Sequence, residues 1–359
     1  MSSTENQENT LYRKACTAGA ARGGADIDNG AAPGVGSGST LINGCRKLSK
    51  KMAANHPAPT FPPLLKPGDR VGIAAPAGPF ERERFDRGVA VLESMGFDVR
   101  LPGGLNAVEG YLAGSDDHRA AVFNALLADA EIKGIFCARG GYGSMRILER
   151  IDFEALRRRP KVFVGFSDIT ALHAAIFKSC ALVTFHGPVV TSLAAADAET
   201  VAALHRAVIG DGPIRVSAPE ARVLRAGRGR GMLAGGNLTT LCHLLGTVWA
   251  ADFNGCILLL EDVGEAPYRI DRMLFQMKTA GCFEGLSGLV LGHFKNCGPP
   301  ECIEAIVRRM TADLDIPVLS GLDVGHGRRN ITLPLGKTVM LDTAAKTLDC
   351  ERFFKAGPP

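Results

Sequence analysis

Ser167 stands where the sequence changes from a strand pattern to a helix pattern. Residues 162 to 166 are β-branched and aromatic, which predicts a short buried strand. After Ser167, apolar side chains recur at helical spacing, at Ile169, Leu172, Ile176 and Phe177. A serine at such a turn presents its hydroxyl beside the N–H groups that start the helix, as in a nucleophile elbow. Only Gly165 of the Gly-x-Ser-x-Gly pattern is present, and an ordinary helix N-cap is the competing interpretation.

A carboxylate and a histidine at suitable positions follow later in the chain. Glu261 ends the apolar run of residues 256 to 260, where a buried carboxylate is costly unless it has a partner. His326 lies between two glycines in a predicted loop. Serine becomes an effective nucleophile when a histidine accepts its proton and an acid orients that histidine, so Ser167, Glu261 and His326 form a candidate catalytic set. His186 also ends a predicted strand, but a structural role is favoured because no partner is placed near it.

Residues 139 to 144, Arg-Gly-Gly-Tyr-Gly-Ser, form a second candidate feature between a predicted strand and a predicted helix. The backbone N–H groups of such a turn can approach a phosphate or an oxyanion, although a tight turn that requires positive φ is the alternative. The turn matches neither the dinucleotide G-x-G-x-x-G nor the P-loop pattern. Because ligands of parallel sheets lie beyond the carboxyl ends of the strands, we expect this turn and Ser167 at one edge of one sheet.

The order of strand and helix patterns predicts an α/β protein with two domains. Residues 61 to 195 alternate between strands and helices, which predicts an N-terminal domain with a mostly parallel sheet flanked by helices. Residues 196 to 229 are predicted to form a linker or flap. Residues 230 to 359 are predicted to form a smaller, mixed α/β C-terminal domain, in which residues 231 to 241 are a glycine-rich turn entering a helix. Residues 1 to 60 are predicted to be a disordered extension, with Met52 as a true or alternative start.

Composition argues against several classes of function. The chain has 359 residues, 46% of them hydrophobic and 22% charged, as expected of a packed globular protein. A net charge of +4 without a basic stripe, together with one Trp and four Tyr, argues against nucleic-acid binding. No apolar run reaches the roughly 18 residues of a membrane helix, and the N-terminus lacks the apolar core of a signal peptide. We therefore expect a cytoplasmic protein without a membrane partner.

Cysteines and charged clusters receive structural interpretations. The ten cysteines show no C-x-x-C pair, which favours reduced thiols over a disulfide framework. Cys297 and Cys302 with His293 fit no standard zinc spacing, so no metal site is predicted. The charged side chains after the apolar run at 256 to 260 are expected to pair structurally with one another, namely Glu265, Asp271 and Arg272.

Several long motifs occur in a fixed order along the chain. They are Ala-Arg-Gly-Gly-Tyr-Gly-Ser-Met-Arg, Val-Gly-Phe-Ser167-Asp-Ile-Thr-Ala-Leu-His, Phe-His-Gly-Pro, Gly-Gly-Asn-Leu, Leu-Leu-Glu261-Asp-Val-Gly-Glu-Ala-Pro-Tyr-Arg-Ile-Asp-Arg and Gly-His326-Gly. Together they resemble the LD-carboxypeptidases, which are murein tetrapeptide carboxypeptidases and whose relatives include the microcin C immunity hydrolases. The resemblance covers roughly residues 64 to 350 and leaves out the first 60.

The resemblance implies a serine peptidase on two α/β domains. Ser167 would be the nucleophile, His326 the general base and Glu261 the acid that orients the base. The oxyanion donors would be the backbone N–H groups of Asp168 and of Gly141. The implied reaction releases the terminal D-alanine of murein tetrapeptide by hydrolysis of an L,D-amide bond during cytoplasmic cell-wall recycling. The resemblance also implies a small peptide or muropeptide as partner, no metal or organic cofactor, and a homodimer.

Three questions stay open at the level of the sequence. A terminal carboxylate in the substrate would need a cation or N–H donors, for which Arg139 and Arg328 are candidates. The same catalytic set would serve a microcin immunity-like hydrolase of peptidyl or aminoacyl nucleotides, although residues 192 to 229 contain no aromatic side chain to stack on an adenine. A non-catalytic phospholigand-binding protein would use the glycine-rich turn and would need neither Glu261 nor His326.

Overall fold

The computed structural model describes residues 56–210 and 212–350. The start at Met52 and most of the predicted disordered extension lie outside these residues. The predicted boundary at residue 61 needs a correction, because Thr60 already pairs with Leu182 in a parallel bridge. No helix within the described part of the chain is long and apolar enough to cross a membrane.

The first sheet has six strands and is parallel except at one edge. Its spatial order is β12–β5–β4–β3–β1–β2, where β1 is Arg70–Ala74, β2 Asp98–Arg100, β3 Ile132–Cys137, β4 Val162–Gly165, β5 Thr184–His186 and β12 Leu333–Leu335. Strands β1 to β5 pair in parallel, and β12 pairs with β5 in the antiparallel sense. The sequence therefore predicts the mostly parallel N-terminal sheet correctly, while its last strand comes from the C-terminal part of the chain.

Helices cover both faces of this sheet. They are α1 (Arg82–Ser94), α2 (Asp116–Ala128), α3 (Phe153–Arg158), α4 (Thr170–Cys180) and α5 (Val190–Leu193), with a 3₁₀ helix at Ser144–Arg150. Helix α2 begins where the Ser115 side chain accepts a hydrogen bond from the N–H of His118, a typical N-cap. Neighbouring residues of β3 point to opposite faces of the sheet. Ile135 packs in the apolar cluster on one face and Phe136 in the cluster on the other.

The second sheet is mixed and has eight strands. Its order is β6–β14–β13–β8–β9–β10–β11–β7, with β6 at Ile214–Ser217, β7 Arg222–Arg225, β8 Arg228–Asn237, β9 Cys256–Val263, β10 Gly288–Lys295, β11 Val318–Ser320, β13 Thr338–Asp342 and β14 Thr347–Cys350. Strands β8 to β11 are parallel and the outer strands antiparallel. Three helices connect the successive parallel strands β8 to β11, namely α7 (Leu238–Leu244), α8 (Pro267–Thr279) and α9 (Pro300–Met310). The second sheet is thus the larger of the two in strand number.

Two segments differ from the sequence-based expectation. The predicted linker or flap at 196 to 229 contains helix α6 (Ala198–Ile209) and both edge strands of the second sheet, β6 and β7. Residues 231 to 237 are not a turn, because they form part of the long strand β8. Glycine is required there by close strand packing: a Cβ at Gly235 would lie 2.0 Å from the carbonyl oxygen of Leu259.

Candidate active site

Ser167 lies on a strained turn between β4 and α4. Its φ of +65° is in the left-handed region, which non-glycine residues adopt rarely and at an energetic cost. The turn is sharp enough that a Cβ at Gly165 would meet Ile169 at 2.7 Å. The side-chain N-cap interpretation fails, because the start of the 3₁₀ turn at Ser167–Ile169 and the start of α4 have no side-chain cap bond. The Ser167 hydroxyl is therefore available to other hydrogen-bond partners.

The structure brings Ser167, His326 and Glu261 together in one hydrogen-bonded series. The Oγ atom of Ser167 lies 3.1 Å from Nε2 of His326. The Nδ1 atom of the same ring lies 2.6 Å from Oε2 of Glu261. A proton on Nδ1 facing the carboxylate leaves Nε2 free to accept the proton of the serine hydroxyl. Two sheets thus contribute to one site, since Ser167 follows β4 of the first sheet and Glu261 lies on β9 of the second, while His326 lies in the loop that runs from β11 of the second sheet to β12 of the first.

Glu261 is completely buried near the end of β9. Burial raises the pKa of Glu261, and the hydrogen bond from His326 opposes that rise. The loop before His326 fits tightly around the carboxylate, because a Cβ at Gly325 would lie 2.4 Å from Oε2 of Glu261. The neighbouring carboxylate of Asp262 is satisfied separately by Asn237 and Thr239. Glu261 is therefore the carboxylate available to the histidine.

Helix α6 anchors the loop that carries His326. Arg329 binds the carboxylate of Asp197, the N-cap of α6, at 2.9 Å. The backbone N–H of Asn330 donates to Oγ1 of Thr200 at 3.2 Å, and the Asn330 side chain accepts from the N–H of Gly325 at 2.9 Å. The segment predicted as a linker or flap thus supports the catalytic histidine candidate.

Ser144 and Asp168 join the glycine-rich turn to the serine turn by two hydrogen bonds, both donated by Ser144. The N–H of Ser144 donates to Oδ2 of Asp168 at 2.8 Å, and its hydroxyl donates to the backbone oxygen of Asp168 at 2.6 Å. Burial raises the pKa of Asp168, while hydrogen bonding from Ser144 to its carboxylate opposes that rise. Arg119, whose side chain is fully buried, donates to the carbonyl oxygens of Pro76, Gly114 and Gly143. We call the Ser144–Asp168 pair the latch.

The sequence alone does not predict the latch, for a physical reason. Ser144 and Asp168 belong to recognised motifs, but their mutual bonds depend on how two strand ends align in the sheet. The predicted oxyanion donors lie on the two segments that the latch joins. Gly140 contacts Ser167, since a Cβ there would be 2.9 Å from the serine Cβ, whereas Gly141 lies against Gly78. The donor roles of Gly141 and Asp168 stay predictions.

The two predicted carboxylate-binding arginines are exposed and lie on different segments. Arg139 donates to the carbonyl oxygen of Pro79 at 2.5 Å. Arg328 lines a groove of about 410 Å³ with His293 and Lys295. The neighbouring Arg329 is instead engaged in ion pairs. Substrate binding by Arg139 and Arg328 stays a prediction.

The other residues considered in the sequence have structural roles. His186 is fully buried, and burial lowers its pKa to about 3. Glu265 forms an ion pair with Arg269, and Asp271 forms one with Arg309, so the expected ion pairs have partners other than those predicted. Arg272 instead packs over the ring of Tyr268. Five buried cysteines carry free thiols, namely Cys137, Cys180, Cys242, Cys282 and Cys297. Within residues 56–210 and 212–350, no group of three or more His, Cys, Asp or Glu side chains is arranged to hold a metal ion.

Known proteins resemble the chain over both halves of this site. Residues 71–187 match the LD-carboxypeptidase N-terminal domain and residues 230–341 the LD-carboxypeptidase C-terminal domain. A probable murein peptide carboxypeptidase of Bacillus subtilis is 37% identical over 305 residues, which cover 82% of this chain and 96% of that protein. The crystal structure of a muramoyltetrapeptide carboxypeptidase from Oxalobacter formigenes has a TM-score of 0.71 at 30% identity, covering 80% of this chain and 100% of that chain. The structure of MccF in complex with glutamyl sulfamoyl guanosine has a TM-score of 0.77 at 26% identity, covering 84% and 100%.

Proposed function

This chain belongs to the LD-carboxypeptidase family and is a serine-type carboxypeptidase, and we propose that Ser167, His326 and Glu261 carry its chemistry. The observation that supports these roles is the series of hydrogen bonds of 3.1 and 2.6 Å through the two nitrogens of His326. Ser167 acts as nucleophile, His326 as general base and acid, and Glu261 as the group that orients the ring.

In the first step, Oγ of Ser167 attacks the carbonyl carbon of the amide bond while Nε2 of His326 takes the hydroxyl proton. The imidazolium then gives that proton to the leaving amine as the C–N bond breaks, which leaves an acyl-serine. Water deprotonated by the same nitrogen attacks the acyl-serine and regenerates the hydroxyl. Glu261 stabilises the charged ring in both steps, because its carboxylate faces Nδ1 in a fully buried position.

We propose the backbone N–H groups of Asp168 and Gly141 as donors to the oxyanion that forms in each step. They belong to the serine turn and the glycine-rich turn, which the latch joins. The strained φ of Ser167 supports this assignment, because it directs the hydroxyl and the following N–H groups toward a common space. Preorganised donors of this kind are worth roughly 10²–10³ in kcat each.

The proposed substrate is a murein tetrapeptide, bound as a small peptide or muropeptide and cleaved to release its terminal D-alanine. The name of the Bacillus subtilis relative supports this substrate class. We propose that Arg139 or Arg328, both exposed, binds the terminal carboxylate of the substrate. Arg139→Gln or Arg328→Gln should then raise KM at unchanged kcat, and an unchanged KM in both variants would remove both arginines from substrate binding.

Hydrolysis of aminoacyl or peptidyl nucleotides is the second candidate function, supported by the similarity to MccF. A direct comparison of substrates tests the choice. The wild-type protein is incubated with murein tetrapeptide and, separately, with a peptidyl adenylate analogue, and the products are measured by mass spectrometry. Release of D-alanine at a kcat/KM at least tenfold above nucleotide cleavage supports the carboxypeptidase. The reverse ratio would assign the second function, and nucleotide binding without cleavage of either compound would indicate a phospholigand-binding protein.

We also propose that the protein is a cytoplasmic homodimer. The free, buried thiols of five cysteines, among them Cys137 and Cys297, support a reducing compartment, in which thiols persist. The family resemblance supports the dimer. Multi-angle light scattering should give twice the chain mass of 37.9 kDa, and the mass of a single chain at micromolar concentration would contradict the dimer.

A further inference from the structure

Two exposed tyrosines stand next to each other beside the glycine-rich turn. The ring centroids of Tyr111 and Tyr142 are 5.7 Å apart, and the ring planes are inclined by 56°. The two residues are 68% and 45% exposed, so most of this aromatic surface faces solvent. Clustered exposed apolar surface is uncommon on a folded chain and often marks a binding site. We call Tyr111 and Tyr142 the tyrosine pair.

The backbone segments that carry the tyrosine pair lie close to Ser167. Tyr142 follows Gly140 by two residues, and a Cβ at Gly140 would be 3.1 Å from Oγ of Ser167. Tyr111 reaches the same place from another loop, because a Cβ at Gly78 would lie 3.5 Å from the carbonyl oxygen of Tyr111 and 3.8 Å from Cα of Gly141. Two residues of extended chain span about 7 Å. The rings are therefore within reach of a substrate that is bound to the serine.

The loops under the tyrosine pair are held by several hydrogen bonds. The turn that contains Tyr111 is closed by reciprocal backbone bonds between Glu109 and Leu112, of 2.9 and 3.0 Å. Buried Arg119 binds the carbonyl oxygens that follow each tyrosine segment, at Gly114 and Gly143. A loop whose backbone is ordered before binding loses little conformational entropy when a ligand binds to it.

We propose that the tyrosine pair is a subsite that stacks the sugar ring of a muropeptide substrate. Aromatic faces carry partial negative charge and attract the C–H groups of an apolar pyranose face. In a murein tetrapeptide, three residues separate the sugar from the bond that releases D-alanine, a span of about 10 Å when extended. This span matches a subsite that begins one short loop away from Ser167. A nucleobase fits less well, because rings inclined by 56° form no parallel slot for a planar base.

This subsite rests on the proposed carboxypeptidase function, and a binding experiment separates the two claims. Calorimetry is done in the Ser167→Ala background with N-acetylmuramoyl tetrapeptide and with the free tetrapeptide. The double substitution Tyr111→Ala and Tyr142→Ala should weaken binding of the sugar-bearing compound about tenfold and that of the free peptide less than twofold. Tyr268→Ala is the control, because Tyr268 on α8 is 47% exposed, close to the 45% of Tyr142, and lies in the other half of the molecule.

Four outcomes would overturn the subsite. They are an equal loss for both compounds, no loss for either, a loss seen only with a peptidyl adenylate analogue, and a change of oligomeric state in light scattering, which would assign the tyrosines to a protein interface. D-alanine release by the wild-type protein is measured in parallel on both compounds. Sugar-dependent binding without any release would keep the subsite and refute the carboxypeptidase proposal, whereas release without sugar dependence would do the reverse.

Discussion

The two halves of the site are built in different ways. The nucleophile half is local: the strained serine turn, the latch and the glycine-rich turn lie within residues 139 to 170 and on neighbouring strands. The acid–base half is assembled over long distances. Glu261 lies near the end of a buried strand, and His326 sits in a loop that helix α6 fastens through Asp197 and Thr200.

The two halves therefore depend on different features: the nucleophile half on a rigid backbone, and the acid–base half on side chains. The serine turn stores strain that its sheet must maintain, so its position is fixed when the sheet forms. The histidine depends on a carboxylate whose burial disfavours its charge. Substitutions in the acid–base half should therefore remove activity while the fold survives. Substitutions that change the backbone conformation of the nucleophile half should affect geometry and stability together.

His326→Gln should have the largest effect on the acid–base half. Glutamine cannot accept and return the proton of Ser167, so kcat should fall by roughly 10⁴–10⁶, as for other members of such sets. KM should stay within about threefold, and thermal unfolding should stay close to that of the wild-type protein. Steady-state D-alanine release with calorimetric unfolding measures both quantities. A loss of activity below tenfold would show that the ring is not the base.

Glu261→Gln should lower kcat by about 10²–10⁴, because an amide keeps the hydrogen bond but loses the charge that stabilises the imidazolium. Burial raises the pKa of Glu261, which means that the folded state holds its charge at a cost, so removing the charge should leave stability unchanged or higher. The comparison of the two halves would fail if this variant kept its activity and lost several degrees in Tm.

Acid should destabilise the nucleophile half through its buried histidines. Burial lowers the pKa of His173 to about 4 and of His186 to about 3, against an ordinary value of 6.5. The unfolded chain binds these protons first, so stability is full above pH 6.5 and falls as the pH drops toward 4. One such group removes about 2–3 kcal/mol by pH 4.5.

Urea unfolding at pH 7 and pH 4.5 measures this loss. His186→Phe should reduce the difference in unfolding free energy between the two pH values, because the substituted ring has no proton to gain. The matched control is His118→Phe, since the ring of His118 is partly exposed and bonds to the carbonyl oxygen of Gly104 at the surface. An equal pH dependence in wild type and His186→Phe would refute the titration account.

The smallest effect is expected at the latch. Ser144→Ala removes the hydroxyl bond to the backbone of Asp168 but keeps the N–H bond to its carboxylate. The oxyanion donors should become misaligned by a small amount, and kcat should fall about tenfold at unchanged KM. Ser192→Ala is the control, because its hydroxyl also donates to a backbone oxygen, that of Val189, at 2.7 Å. A KM effect without a kcat effect would remove the latch from the positioning of the donors.

The sequence predicted the local half of the site better than the half that is assembled over long distances. Strand and helix patterns locate Ser167 and the parallel sheet, because hydrophobic period and turn position are local properties. The meeting of Glu261 and His326 with Ser167 came from a family resemblance, since the bonds join residues 65 and 159 positions apart. The prediction of a turn at 231 to 237 was wrong because glycines that allow close strand packing resemble glycines that allow turns. The linker prediction at 196 to 229 was wrong for a related reason. The segment contains the edge strands β6 and β7, which form by pairing with strands distant in the sequence, β14 and β11.

The most direct test of the account is D-alanine release from murein tetrapeptide, measured by mass spectrometry for the wild-type protein and Ser167→Ala. The account predicts release by the wild-type protein and a loss of roughly 10⁴–10⁶ in rate for the variant, whose fold should be unchanged. Equal rates in the two proteins would contradict the assignment of Ser167 as the nucleophile.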